Sequence, residues 1–231
     1  MKIDLYLKFK TNPEQNLKIV CEDDSITNLS KGISTVMQYH DHDYWKYQIE
    51  IPETSHSQSD KLNYFYQFSN GKGDTNEDWG VNRNLFLTEL NDGLVVIDSW
   101  TDMGLIENTY YTAPFHKVFQ KFHEVTSVTQ IQSGYIRFSV MSPLLDSSEE
   151  LCLSGNQSCL GKWQLSDVKA MQFDGGKWFV DVKYDQLGSS FEYKYCIRNK
   201  ENGIIRFENG ENRIVKLPSA IFKSVLLQDN Y

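Results

Sequence analysis

The chain has 231 residues, and 23 Lys and Arg against 31 Asp and Glu leave a formal charge of −8. That balance speaks against a nucleic acid or an anionic membrane as partner, because both call for a basic surface. No apolar run approaches the ~18–20 residues needed to cross a bilayer. The length suits one large or two small domains. Aromatics are plentiful, with thirteen Tyr, thirteen Phe and five Trp.

Met1 to Lys10 alternate apolar and charged residues, which predicts a first strand rather than an export signal. The expected location is therefore cytoplasmic. The four cysteines, Cys21, Cys152, Cys159 and Cys196, show no Cys-x-x-Cys spacing and are expected as free, mostly buried thiols. His40-Asp41-His42-Asp43 could offer two imidazoles to a metal, but no further ligands follow, and no metal site is assigned.

Trp45 opens a period-two run over 45–51, followed by Tyr64-Phe65-Tyr66, then Trp79, then Asn82-Arg83 and an apolar stretch. The order returns further on. Trp178 opens the run 178–184, followed by Tyr193-Lys194-Tyr195, Phe207, and Asn212-Arg213 with an apolar stretch. The four landmarks recur at offsets of 133, 129, 128 and 130 residues, which predicts two related modules. Short alternating segments separated by turns such as Asp174-Gly175-Gly176 and Asn209-Gly210 predict an all-β fold. The expected architecture is two immunoglobulin-like antiparallel β-sandwich modules, over 1–90 and 133–218, joined by a packed connector over 91–132. That connector carries Val95-Val96-Ile97 and Ala113-Pro114-Phe115, too apolar for a free tether. From Pro114 a helix and an extended path are both open.

The second module carries Leu153-Ser154-Gly155-Asn156, Leu160-Gly161-Lys162-Trp163, Trp178, Phe191-Glu192-Tyr193-Lys194-Tyr195, then Phe207-Glu208 and Asn212-Arg213. This string resembles the starch-binding domain, carbohydrate-binding module family 20. A glucose ring has an apolar C–H face that an aromatic plane buries and a hydroxyl rim that polar groups fix. The resemblance implies Trp163 and Phe207 as the planes, and Lys194, Glu208 and Asn212 as hydroxyl contacts. The family normally has Trp where Phe207 stands, and Phe offers less stacking area and no N–H. Period two puts Tyr193 and Tyr195 inward and Lys194 on the other face. Trp178 is expected in the core and Arg213 in an ion pair. The family's second site uses tyrosines upstream of the Gly-Asn turn and before the strand-leading Trp. Ser147 and the short loop 173–177 occupy those places, so that site is expected to be absent.

The first module diverges. It lacks Leu-Gly-x-Trp and has Phe65 where the second has Lys194. Trp79 with Arg83 is open to two readings: half a glucan site with Tyr39 or Tyr44, or a structural remnant or inter-module contact. The sequence from Trp79 to Arg83, then Asp98-Ser99-Trp100, Tyr111-Thr112-Ala113-Pro114-Phe115 and the second copy is similar to the N-terminal region of plant-cytosolic-type disproportionating enzymes. Those are 4-α-glucanotransferases with two such modules ahead of a family 77 glycoside-hydrolase barrel. The resemblance spans about 1–218 and implies a non-catalytic, α-glucan-binding front of a longer enzyme. Residues 219–231 would lead towards its catalytic domain. It implies no catalytic residue, cofactor or metal in this chain, and α-1,4-glucan or maltooligosaccharide and the linked barrel as partners. The alternative is a pair of docking or homodimerisation modules with degenerate sugar sites. No Cys-x5-Arg loop, Gly-x-Ser-x-Gly elbow or phosphate loop is present.

Overall fold

The computed structural model describes residues 1–22, 32–51, 61–79, 83–86, 93–102, 130–141, 145–174, 177–217 and 224–231. The expectation for the path after Pro114 lies outside them. Up to residue 102 the described strands are β1 (Lys2–Lys8), β2 (Asn16–Cys21), β3 (Ser34–Val36), β4 (Gln38–Tyr39), β5 (Tyr44–Glu50), β6 (Lys61–Ser69), β7 (Thr75–Glu77), β8 (Asn84–Phe86) and β9 (Leu94–Ser99). From residue 130 they are β10 (Tyr135–Met141), β11 (Glu149–Gly155), β12 (Lys169–Ala170), β13 (Gln172–Asp174), β14 (Lys177–Lys183), β15 (Ser190–Asn199), β16 (Ile205–Phe207), β17 (Arg213–Lys216) and β18 (Val225–Asn230). Helical turns occur at Ser158–Trp163, Leu165–Asp167 and Tyr184–Gln186. Among the described residues no helix is long and apolar enough to cross a membrane. The molecule is thus largely all-β and built from several sheets.

One sheet of eight strands runs through both halves of the chain, in the order β13-β14-β10-β18-β9-β1-β5-β4. Each half adds a five-stranded sheet. The first is β3-β2-β6-β7 with β8 on β6, and the second is β12-β11-β15-β16 with β17 on β15. The seam of the large sheet is parallel: β1 on β9, β9 on β18 and β18 on β10. Two strands therefore depart from the sequence expectation. Leu94–Ser99, inside the segment read as connector, lies beside β1, and Val225–Asn230, inside the segment read as lead-out, lies beside β10.

The apolar pattern explains this seam. In β9, Leu94 and Val96 pack into a core with Leu5, Leu7, Tyr64 and Tyr66 of the first half. Val95 and Ile97 pack into another core with Phe138, Leu153, Tyr193 and Tyr195 of the second. Successive residues of a strand point to opposite faces, so the two cores sit on opposite faces of the shared sheet. A sheet covered on both faces needs continuous apolar strands rather than alternating ones. Val95-Val96-Ile97, the most apolar part of the supposed connector, meets that need. The layout is the one a two-fold axis along the β9–β18 seam would generate.

The repeated Tyr-x-Tyr and Arg landmarks build one polar network per half. Tyr64 and Tyr66 donate their hydroxyls to Asp98, at 2.8 and 2.7 Å. Tyr193 and Tyr195 donate theirs to Asp229, at 2.7 and 2.9 Å. Arg83 pairs with Asp78, donates to the Ser99 carbonyl at 2.6 Å and lies over the Tyr66 ring. Arg213 pairs with Glu208 at 2.7 Å, donates to the Asn230 carbonyl at 2.7 Å and lies over the Tyr195 ring. Each buried carboxylate also takes a bond from across the seam: Gln228 donates to Asp98 at 3.0 Å, and Ser99 to Asp229 at 2.9 Å. Buried charges are tolerable only when paired and hydrogen-bonded, and these are. Burial alone would lower the Arg213 pKa, but Asp229 and Glu208 outweigh it and hold the guanidinium above its usual value. Burial first, then the adjacent carboxylate of Asp98 or Asp229, pushes all four tyrosines well above their ordinary range.

Other contacts join the halves near the surface. Lys216 pairs with Asp43 at 2.5 Å, its backbone N–H reaches the Tyr44 hydroxyl at 3.3 Å, and Lys8 donates to the Ile214 carbonyl at 2.8 Å. The cysteines are free thiols, with Cys21, Cys152 and Cys196 buried and Cys159 half-buried. In the His40–Asp43 turn, Asp41 accepts bonds from the N–H groups of Asp43 and Tyr44, so its work is to lead the chain into β5.

Candidate functional site

The site foreseen in the second half is built on β15. Phe191, Tyr193 and Tyr195 are buried, so Glu192 and Lys194 share the outer face. Ser154 and Gly155 of β11 stand opposite Lys194 and Tyr193. Gly155 permits the next step, because a Cβ there would lie 2.4 Å from the Glu192 carbonyl oxygen. Asn156 then donates its backbone N–H to that oxygen and accepts the Glu192 N–H on its side chain, both at 3.0 Å. The Gly-Asn pair thus pins the end of β11 to β15 and launches the loop that carries Trp163.

That loop is held in an uncommon conformation. Leu160 is fully buried and anchors it. Gly161, Lys162 and Trp163 follow with φ of +82°, +49° and +64°, three left-handed residues in a row. Gly161 is required twice over, by its φ and because a Cβ would meet the Asp167 carbonyl oxygen at 2.5 Å. For a bulky side chain such as Trp a positive φ is costly, and such strain concentrates at binding and catalytic positions. Trp163 is left half-buried.

On β15, Lys194 donates its ammonium to the carbonyls of Glu208 and Gly210, at 3.3 and 2.6 Å. It clamps the turn that follows β16. Asn212, exposed on that turn, donates to the Glu192 carboxylate at 2.8 Å. Phe207 stands opposite Cys196 in the β15–β16 ladder and is 37% exposed. Cross-strand partners share a face, so Phe207, Lys194 and Glu192 occupy one outer surface, with Asn212 joined to it. Glu208 is placed differently from the other expected contacts. Its carboxylate accepts the Tyr195 N–H at 2.9 Å and pairs with Arg213, and its side chain is only 8% exposed. It braces the turn from beneath. Glu192, which the sequence reading passed over, is the carboxylate on the outer face, and its alternation with Tyr193 was the available signal.

Trp79 lies elsewhere. The residue matching Phe207 in the first half is Glu77, since Glu77 faces Gln67 as Phe207 faces Cys196. Asp78 matches Glu208: each accepts the N–H of the second tyrosine of Tyr-x-Tyr, and each pairs with the arginine five residues on. The offset of 128 drawn from Trp79 was therefore two residues short of the true repeat. Trp79 is half-buried beside Arg83, Ser139, Met141, Lys177, Gln228, Asp229 and Asn230, at the junction of the halves. The cavity there is about 20 Å³, on the scale of one water. Burial pushes the pKa of Lys177, at its edge, down to about 8. Tyr39 packs edge-on to Trp45, with ring centres 5.7 Å apart, and is 60% exposed, while Tyr44 is buried. Trp178, expected in the core, is half-buried at its margin and carries the exposed ring of Phe173 at 5.1 Å.

Residues 134–225 match the family model of the starch binding domain. This half has the fold of a starch-binding module. The matched span contains Trp163, Lys194, Phe207, Glu208 and Asn212. No curated protein matches the chain. Among solved structures it is similar to a glycoside hydrolase family 15 glucoamylase from Hypocrea jecorina, at 20% identity over 46% of this chain and 19% of that one, with a TM-score of 0.38. It is also similar to Gamma-CGTase from alkalophilic Bacillus clarkii, at 17% identity over 93% and 23% of the two chains, with a TM-score of 0.38. A third is the family 20 module of the maltotetraose-forming amylase from Pseudomonas saccharophila STB07, at 17% identity over 42% and 99%, with a TM-score of 0.35. The chain thus spans only 19% and 23% of the glucoamylase and Gamma-CGTase lengths.

Proposed function

We propose that this chain is a non-catalytic α-glucan-binding region whose main site lies in the starch-binding-module half. Trp163 and Phe207 stack on glucose rings, while Lys194, Asn212 and Glu192 meet the hydroxyl rim. Glu208 supports the turn that presents Phe207 and Asn212. The observation that carries this reading is the left-handed Trp163 loop, a strained presentation of a large aromatic. The ligand is neutral, so a chain with a charge of −8 needs no electrostatic steering to reach it.

The wider reading follows the sequence resemblance. The region serves a cytosolic 4-α-glucanotransferase of the disproportionating type, holding a catalytic barrel carried on the same polypeptide close to α-1,4-glucan. Each half is then an immunoglobulin-like sandwich module. Calorimetric titration with maltoheptaose tests the site. Removing the Trp163 face forfeits about 1.5–3 kcal/mol of stacking, a roughly tenfold or greater loss of affinity. An unchanged isotherm for Trp163→Ala would overturn the assignment.

A second reading is favoured by one observation. The first half keeps the Tyr–Asp–Arg network but has Phe65 and Glu77 where the second half has Lys194 and Phe207. Its repeat of the sugar site is thus dismantled while its scaffold is intact, which suits a docking or homodimerisation module. Sedimentation showing a stable dimer that ignores maltoheptaose would favour that role.

A further inference from the structure

The first half has a second aromatic surface that its repeat pattern does not foretell. Phe9, just beyond β1, lies 4.8 Å from the Trp100 ring at 54° and 5.5 Å from the Phe68 ring at 48°. All three rings are half-buried and rest on the first-half core. With Thr75, Asn76 and Glu77 of β7 and Asp102 they line an open cleft of about 550 Å³. That volume is within the usual range for a small-molecule site.

Position separates this cleft from the repeat of the Trp163 site. In β6, Tyr64, Tyr66 and Phe68 share the core face, and Phe65, which matches Lys194, is on the other. Asn76 stands directly opposite Phe68 in the β6–β7 ladder, so the cleft opens at the end of the core between the sheets. The matching ladder pair in the second half is Ile197 with Arg206. The Phe68 ring and the neutral amide of Asn76 therefore belong to the first half alone.

The chemistry of the walls selects a ligand class. Three tilted rings give a floor for an apolar face. Asp102 accepts the Trp100 indole N–H at 2.9 Å, which fixes the plane of the largest ring. Thr75, Asn76, Glu77 and Asp102 are exposed and supply hydroxyl, amide and carboxylate groups. None of the described lining residues is basic, and two are acidic. An anionic ligand such as a phosphate would be repelled, while a neutral ring with one C–H face and a hydroxyl rim matches both wall types.

We propose that the Phe9–Phe68–Trp100 cleft is a carbohydrate-binding site for a short neutral oligosaccharide, stacked on Trp100 and Phe9 and hydrogen-bonded by Asn76 and Asp102. The choice of an α-1,4-glucan as its occupant rests on the function proposed above. Two sites on one rigid frame would hold a single long glucan more tightly than either alone.

Maltoheptaose titration of the whole chain, followed by calorimetry and by the indole N–H signals of isotope-labelled protein, tests this. The wild-type chain should bind two equivalents and shift the Trp100 signal. Trp100→Ala should remove one equivalent, and the exposed Asn76→Ala, which leaves the rings in place, should weaken that same equivalent roughly tenfold. Trp163→Ala should remove the other equivalent and leave the Trp100 shift intact. If Trp163→Ala abolishes all binding while Trp100→Ala and Asn76→Ala change nothing, the cleft is not a sugar site and the main-site assignment stands. If Trp100→Ala alone abolishes binding, the cleft stands and the main-site assignment falls. A chain that binds no maltoheptaose overturns both.

Discussion

At the scale of single residues, the side chains around the proposed main site divide by what holds them. Lys194 and Glu208 are tied to the turn after β16, the first through carbonyls and the second through Arg213 and a backbone N–H. Phe207 is the loosely held member, at 37% exposure. Its ring supplies area and nothing else. A tryptophan in its place would add stacking surface and an N–H donor, worth ~0.5–1.5 kcal/mol. Phe207→Trp should therefore tighten maltoheptaose binding roughly two- to tenfold with an unchanged melting temperature. Calorimetry and a thermal melt check both halves of that statement. The core tyrosines, Lys194 on the opposite face and Arg213 as an ion-pair partner were all legible from period two and the repeat. Glu208 was not. The resemblance groups it with the expected sugar contacts, but its direction depends on a backbone N–H that only the β15–β16 ladder brings to it.

At the scale of elements, the Tyr-x-Tyr strand, the arginine and the last described strand of each half, β9 or β18, act as a unit. Asp229 accepts two tyrosine hydroxyls and the Ser99 hydroxyl and forms an ion pair with Arg213 at 3.2 Å. Removing it leaves Arg213 undercompensated and two buried phenols without an acceptor. Breaking a buried pair from one side costs ~3–5 kcal/mol. Asp229→Ala should lower the unfolding free energy by that amount, read as a lower urea midpoint with little change in slope. A loss below ~1 kcal/mol would mean that the network is ornamental, since an exposed pair contributes that little. The repeat search found the tyrosines and arginines because they recur by type and spacing. It missed Asp98 and Asp229 because each lies at the end of an apolar run, and nothing in a run of valines and leucines states which strand lies alongside it.

At the scale of the whole molecule, the two halves share one sheet rather than meeting across a linker. Leu94–Ser99 and Val225–Asn230 are each other's neighbours, and each half's core is covered partly by residues of the other. Tyr6, Tyr44, Val95 and Ile97 of the first half are in the second core. Separate opening of the halves would strand those side chains in water and break the parallel seam. Denaturant should therefore unfold the chain in a single transition, with tyrosine near-ultraviolet dichroism and tryptophan fluorescence superimposing. Two resolved steps would show that the seam contributes little to stability.

The sequence by itself determined the strand character of the chain, the repeated Tyr-x-Tyr and Arg landmarks and the inward tyrosines. Those follow from local period, turn chemistry and residue type, which a strand carries wherever it is placed. The tertiary structure decided that the connector and the C-terminal segment pair at a common seam, that Glu77 rather than Trp79 matches Phe207, and that Phe9, Phe68 and Trp100 meet in one cleft. Period fixes the face a side chain takes but leaves open which strand is adjacent and at what register. Every feature that joined distant segments depended on that second choice.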